Sequence, residues 1–160
     1  TARPDTSRAV GPPRCLIGSW RTVEERMMIK FYNNEDPILF TTAGRLYEFR
    51  PDGTGTERLD NVVYSGTFEG NELRLVGSGF TDFTWSATDT AISYLNRTKS
   101  ERTWSYYDQR GLIETQTTSS TDPMNEVDQY TCQGAQLLES NPDIGYRSVW
   151  TRTTAFGVYG

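Results

Sequence analysis

Histidine is missing from this 160-residue chain, which removes the commonest general base and the commonest metal ligand of proteins. The chain has only two cysteines, Cys15 and Cys132, too few for a zinc site of about four ligands. We therefore expect neither a metal nor a cofactor, and catalysis by a Ser–His–Asp set is excluded.

A surplus of positive charge is also missing. Sixteen Lys and Arg residues stand against twenty-one Asp and Glu residues, a net charge of −5, and this makes nucleic acid an unlikely class of partner because phosphate binding needs a cationic surface. No apolar stretch approaches the roughly 18 residues of a membrane-spanning helix, so we expect no membrane insertion. No segment of ten residues or more has helical periodicity.

The chain instead consists of short alternating segments separated by Gly, Asp and Asn. This pattern predicts an all-β fold, and pairing the first strand with the last is the economical way to hide both sheet edges. We expect an antiparallel, up-and-down, closed β-barrel of about 8–10 strands over residues 15–153. Residues 1–14 are predicted to be a flexible N-terminal segment, and residues 154–160 a C-terminal tail.

Several polar or glycine-containing segments are predicted to interrupt the strands. Asp60-Asn61, Gly77-Ser78-Gly79 and Lys99-Ser100 are interpreted as turns between separate strands. Residues 33–44 have no strand pattern and are predicted to form a lid loop at the open end of the barrel.

Cys15 and Cys132 are either two buried thiols or one disulfide. We favour the disulfide because each cysteine adjoins a predicted closing strand, and closing so long a loop stabilises a fold by roughly 4 to 5 kcal/mol in the chain-entropy model. A disulfide implies an oxidising compartment. The polar segment that begins at Thr1 is interpreted as a mature N-terminus after removal of a signal peptide, so we expect a secreted or periplasmic protein.

Some of these residues resemble a known family. Gly18-Ser19-Trp20 on the first strand resembles the G-x-W signature of lipocalins, and Arg152 on the last strand resembles the arginine that packs across that tryptophan. The hairpin Asp52-Gly53-Thr54 and the run Tyr64-Ser65-Gly66-Thr67-Phe68 also recur in lipocalin-like and wider calycin proteins. A cysteine just before the G-x-W strand is similar to small secreted bacterial lipocalin-like domains. The resemblance implies a β-barrel with an interior ligand site.

Trp20 and Arg152 are predicted to be structural. A tryptophan at the closed end of a small barrel fills the taper, and an arginine over its face gains a cation–π attraction of roughly 1 to 2 kcal/mol.

Alternation indicates one possible inner lining, made of aromatic walls with a few polar anchors. Such a wall favours binding of a small, largely hydrophobic molecule, with Arg102 and tyrosine hydroxyls as anchors. The same residues are equally compatible with a plain core, and a one-residue slip in register would invert the lining. The predicted ligand-binding residues are Tyr47, Phe49, Phe83, Trp85, Tyr94, Arg102, Trp104 and Tyr106.

Other functions stay open. A β-barrel cyclase or isomerase would need a buried tyrosine or acid beside its substrate, the candidates being Tyr94, Tyr106, Glu48 and Glu114. Thr103-Trp104-Ser105 is also similar to strands of avidin, another calycin.

A protein-binding or inhibitor module with a filled barrel would use the loops at 33–44 and 119–125. Asn96-Arg97-Thr98 matches the N-glycosylation sequence. The identity of the ligand and the oligomeric state are not determined by these patterns.

Overall fold

Ten antiparallel strands form the fold, and the prediction of an all-β closed barrel is confirmed. The computed structural model describes residues 13–154, and within that range the only helical turn is a 3-10 turn at Pro142–Ile144. The segments 1–14 and 154–160 set apart by the sequence therefore lie outside the described residues except for Pro13, Arg14 and Thr154. The strands are β1 Gly18–Ile29, β2 Ile38–Thr42, β3 Leu46–Phe49, β4 Thr54–Phe68, β5 Asn71–Ala87, β6 Ala91–Asp108, β7 Gly111–Thr118, β8 Pro123–Gln133, β9 Gln136–Asn141 and β10 Tyr146–Arg152.

The barrel closes through β1, which pairs with the last strand and with two early ones. On one side β1 pairs with β10 from Trp20 opposite Arg152 to Arg26 opposite Arg147. On its other side, β3 and β2 pair with successive parts of β1 and then with β4. β2 and β3 therefore share one position in an eight-position barrel wall, while β7 pairs only with β6.

The central strands are longer than the sequence analysis predicts. Three predicted turns lie within β4, β5 and β6, which run unbroken for 15, 17 and 18 residues. The predicted turn at Asp60-Asn61 is a register shift between Leu59 and Val62, with Asn61 at a φ of 51°. Such a bulge keeps the ladder intact on both sides and only bends the strand. Polar and glycine residues here mark bends in continuous strands.

The predicted lid at 33–44 is also partly wrong, because β2 occupies Ile38–Thr42 and pairs with both β1 and β4. Its inward-facing Phe40 and Thr42 alternate with exposed Leu39 and Thr41. Only the residues before β2 connect it to β1 as a loop.

Two clusters of buried apolar side chains lie inside the fold. The turn that contains Leu16 covers one end of the barrel, next to the Cys15–Cys132 disulfide, which confirms the predicted pairing. We call the group at this end the closed-end cluster; its buried members are Leu16, Trp20, Tyr47, Phe49, Phe83, Trp85, Ile92, Tyr94, Tyr130, Leu137 and Trp150. The second cluster joins the β1–β2 connection to β4 and β5; its members are Phe31, Phe40, Leu59, Val62, Tyr64, Leu73 and Leu75.

Candidate functional site

Trp20 and Arg152 lie together at the closed end. The Arg152 guanidinium carbon lies 4.1 Å from the centre of the Trp20 ring. Its two terminal nitrogens donate to the carbonyl oxygens of Ile17 at 2.6 Å and Cys15 at 2.7 Å. The guanidinium thus ties the last strand to the turn that covers the barrel end, a geometry that fills this end.

A cavity of about 290 Å³ lies inside the barrel beyond this cluster. Its apolar lining comes from the rings of Tyr47, Phe83 and Tyr94 and, at the rim, from Met27, Met28, Met124 and Ile144. Its charged lining comes from the arginines Arg45, Arg97 and Arg102 and the carboxyl groups of Glu57, Glu126, Asp128 and Glu139. The wall therefore combines apolar side chains with arginines and carboxyl groups in similar numbers.

One arginine of this wall is fully neutralised by neighbouring acids. Arg45, between β2 and β3, donates through Nε to Glu25 Oε1 at 2.8 Å and through its terminal nitrogens to Glu25 and Glu57. Tyr146 donates to Glu25 at 3.0 Å and Tyr47 to Glu57 at 3.1 Å. Burial alone would lower the pKa of Arg45, but the carboxylates, Glu25 foremost, raise that pKa well above its ordinary value. This network is a permanent ion pair that joins β1, β4 and β10.

A second group in the wall consists of the carboxyl groups of Glu126, Asp128 and Glu139. Asp128 and Glu139 are 1% and 2% exposed. Tyr94 donates to Glu139 Oε2 at 2.8 Å, and Asn141 donates to Asp128 at 3.1 Å. Burial, then the hydrogen bond and charge of Asp128, raises the pKa of Glu139 well above its usual range.

Burial is also the main cause that raises the pKa of Glu126 to about 8, with Asp128 adding a hydrogen bond and its charge. Near pH 7 the carboxyl group of Glu126 therefore holds a proton, and it donates as well as accepts hydrogen bonds.

The two other arginines, Arg97 and Arg102, form no ion pair with any carboxylate in the described part of the chain. One terminal nitrogen of Arg97 donates to the Asp122 carbonyl at 3.1 Å. The Arg102 guanidinium lies 5.8 Å from the centre of the Trp104 ring. The Nε atom of each arginine is buried without a hydrogen-bond partner.

The structure divides the eight predicted ligand-binding residues into three groups. Tyr47, Phe83, Tyr94 and Arg102 line the cavity. Phe49 and Trp85 belong to the closed-end cluster and do not line it. Trp104 and Tyr106 pack against the second cluster. Trp104 lies across Gly77, where a Cβ would stand only 2.5 Å from the ring.

The proposed acids Glu48 and Glu114 do not line the cavity. Glu48 pairs with Arg50 at 2.7 Å, and Glu114 is exposed on β7. Sequence reasoning does not find Glu57 and Glu139, which do line the cavity, because charged residues on strands ordinarily face water. Strand alternation could have indicated them, since Glu57 lies two residues from buried Leu59 and Glu139 two residues from buried Leu137.

A larger depression of about 790 Å³ lies on the outer face of the sheet, around β8, β9, β10 and β1. Much of its lining is exposed and charged or polar: Glu24, Arg26, Gln129, Thr131 and Arg147. Ligand sites bury most of the bound molecule between largely preformed walls, so the interior cavity is the better candidate.

In residues 13–154 no helix is long and apolar enough to cross a membrane. The same residues contain no group of three or more Cys, Asp or Glu side chains placed to hold a metal ion. The barrel has lipocalin-like architecture at the level of strand number, direction and closure. No protein-family model matches the chain, and no curated protein matches it.

Proposed function

We propose that this protein is a secreted, lipocalin-like binding protein that carries or sequesters a small, largely hydrophobic molecule in its barrel. The observation that carries the proposal is the 290 Å³ cavity between two well-packed apolar clusters. Protein interiors are otherwise close-packed, so a cavity of this size needs an explanation. Secretion is supported by the Cys15–Cys132 disulfide, which persists in oxidising compartments.

Cavity size and lining limit the ligand. A volume of about 290 Å³ is at the lower end of the range for small-molecule pockets. Tyr47, Phe83 and Tyr94 offer ring surface for an apolar body, whereas the arginines and carboxyl groups offer partners for a polar group. These walls favour a compact molecule with an apolar body over a long lipid chain.

Membership of the calycin group is part of the proposal. Its support is the Gly18-Ser19-Trp20 motif on the first strand together with Arg152 stacked on Trp20. A further support is that the first strand, β1, pairs with the last, β10, as in a closed up-and-down barrel.

A cofactor-free cyclase or isomerase is the second candidate, favoured by one observation. Tyr94 and Glu139 form a hydrogen-bonded pair on the cavity wall, and the raised pKa of Glu139 favours the protonated form of its carboxyl group. A buried carboxylic acid of this kind is suited to general-acid chemistry on an enclosed substrate.

The testing experiment is native mass spectrometry of protein purified from its own source, followed by extraction and identification of the bound compound. We expect a stoichiometric small molecule that is recovered unchanged after incubation. A compound that is converted during incubation would favour the enzyme instead.

A matched pair of variants locates the site. Ile144 lies on the cavity rim and Ile113 on the outside of β7, and both are about half exposed, at 51% and 47%. We expect Ile144→Trp to weaken binding of small fluorescent apolar probes and Ile113→Trp to leave it unchanged. An empty protein that binds no such probe would contradict the proposal.

A further inference from the structure

Buried polar atoms without a hydrogen-bond partner concentrate at one place. Three such side-chain atoms in the described residues are Arg97 Nε, Arg102 Nε and Thr118 Oγ1. Buried donors without partners are rare in native proteins, so three together require an explanation.

Arg97 and Arg102 both line the cavity and are partly exposed, and we call this part of its wall the mouth. Arg102 on β6 is directly opposite Thr118 at the end of β7. The connection that follows β7 contains Asp122, whose carbonyl accepts a hydrogen bond from Arg97. On the other neighbour, β5, Arg102 faces Gly79, which has no side chain to pair with it.

All three groups can donate, and no carboxylate forms an ion pair with either arginine in the described part of the chain. Arg45 in the same cavity is the contrast, because Glu25 and Glu57 already occupy its donors. The mouth therefore holds two arginines whose natural complement, an anionic oxygen pair, is not supplied by the protein itself.

We propose that Arg97 and Arg102, assisted by the Thr118 hydroxyl, bind the carboxylate of a small amphipathic acid whose apolar body rests on Tyr47 and Phe83. This inference rests on the proposed function and specifies its ligand class. A guanidinium presents Nε and a terminal nitrogen in one plane, a geometry that matches a carboxylate. A monoanion fits better than a phosphate dianion, because the carboxylate of Glu57 lines the same cavity and repels added negative charge.

The test compares two probes of the same shape, 2-naphthoic acid and 2-naphthalenemethanol, by isothermal titration calorimetry at pH 7.5. The acid is ionised and the alcohol neutral, so the difference in affinity isolates the anionic group. We expect the acid to bind about ten- to a hundredfold more tightly at low ionic strength, since hydrogen bonds to charged groups are the strong ones. Added salt should weaken binding of the acid and leave the alcohol unchanged.

Three variants and a control test whether the preference for the acid arises at the mouth. Arg97→Met and Arg102→Met should each lower the affinity for the acid about tenfold or more, and Thr118→Val by a smaller factor. Arg110 is 83% exposed on a hairpin turn and pairs with Asp108, so Arg110→Met is the control that should change neither affinity. Unchanged affinity for the alcohol shows that each variant is folded.

Each outcome decides the inference. A preference for the acid that is lost in Arg97→Met and Arg102→Met supports it. Equal affinity for the two probes, unaffected by those variants, overturns the carboxylate site, leaves the binding function intact and assigns the three donors to water. Binding of neither probe to the parent protein contradicts both the carboxylate site and the proposed function.

Discussion

The closed end of the barrel and the mouth of its cavity differ in whether their buried donors have hydrogen-bond partners. At the closed end the indole nitrogens of Trp20, Trp85 and Trp150 donate to oxygen atoms at 3.0, 2.9 and 2.6 Å. At the mouth the Nε atoms of Arg97 and Arg102 are buried without any such partner. Both regions are rich in large side chains, so composition alone does not separate them.

The difference separates structural from functional residues. A buried donor with a partner contributes to the stability of the fold, because leaving such a donor without its partner costs about 1–3 kcal/mol. Evolutionary pressure for stability alone gives no reason to keep two guanidinium groups whose buried Nε atoms have no partner, and sites that bind ligands often do so at a cost in stability. Variants at the closed end should therefore lower stability, and variants at the mouth should lower binding.

Removing the disulfide should produce the largest loss at the closed end. Cys15 and Cys132 are separated by 117 positions in the chain, and breaking so long a loop should lower the free energy of unfolding by roughly 5 kcal/mol in the chain-entropy model. Urea unfolding of the Cys15→Ser/Cys132→Ser double variant measures this loss, and the parent protein under reducing conditions is its control. An unchanged midpoint would mean that packing alone holds this end.

Arg45→Met should be nearly as damaging, because it leaves Glu25, which is 0% exposed, and Glu57 without their cation. Loss of one partner from a buried ion pair costs about 3–5 kcal/mol. Urea unfolding checks the value. Adding Glu25→Gln to Arg45→Met should recover part of the loss, and a double variant no more stable than Arg45→Met would contradict this account.

Arg152→Ala should lower the free energy of unfolding by about 2 kcal/mol, since it removes the stacking on Trp20 and two hydrogen bonds to carbonyl oxygens. Ligand affinity should be unchanged, because Arg152 does not line the cavity. Thermal unfolding and probe titration measure the two properties. Arg147→Ala, an exposed residue on the same strand, is the control, and equal melting temperatures for Arg152→Ala and the parent would disprove the structural role.

The acids of the cavity wall should make stability depend on pH. The pKa of Glu126 is raised to about 8 by burial and by Asp128, so the folded protein holds a proton there that the unfolded chain releases near pH 4.5. The folded state therefore binds more protons between these values, and its stability falls as pH rises from about 5 to 8. Glu126→Gln should flatten this slope in thermal unfolding, whereas exposed Glu24→Gln should not.

The smallest effect on stability is expected at the mouth. Arg102→Met removes a buried donor without a partner and keeps most of the side-chain volume, so the melting temperature of the empty protein should be unchanged or slightly higher. Differential scanning calorimetry without ligand measures it. A loss as large as that of Arg152→Ala would show that Arg102 has a structural role and would remove the contrast between the two regions.

Local sequence patterns were enough to predict the closed all-β fold. Alternating segments predict strands and, with both sheet edges to hide, closure of the barrel, and the two cysteines predict the disulfide. The same patterns predict the strand ends less well, because a bulge at Asn61 and a turn are encoded by the same polar residues. Whether such a residue bends a strand or ends it depends on the partner strand.

The candidate site was only partly predictable. Tyr47, Phe83 and Tyr94 alternate with polar residues in the way that inner walls do, and they line the cavity. Glu57 and Glu139 follow the same alternation, but a carboxylate on a strand ordinarily faces water and only a buried partner reverses that expectation.

Local patterns in the sequence are enough to predict an all-β chain whose first and last strands pair, and a disulfide between Cys15 and Cys132. They do not show that Arg45 is neutralised while Arg97 and Arg102 are not, which follows from the tertiary structure. The pairing of a charge depends on which distant side chains reach it, and Glu25 and Glu57 come to Arg45 from other strands of the barrel. A single sequence does not record those distances, which follow from the closure and register of the barrel.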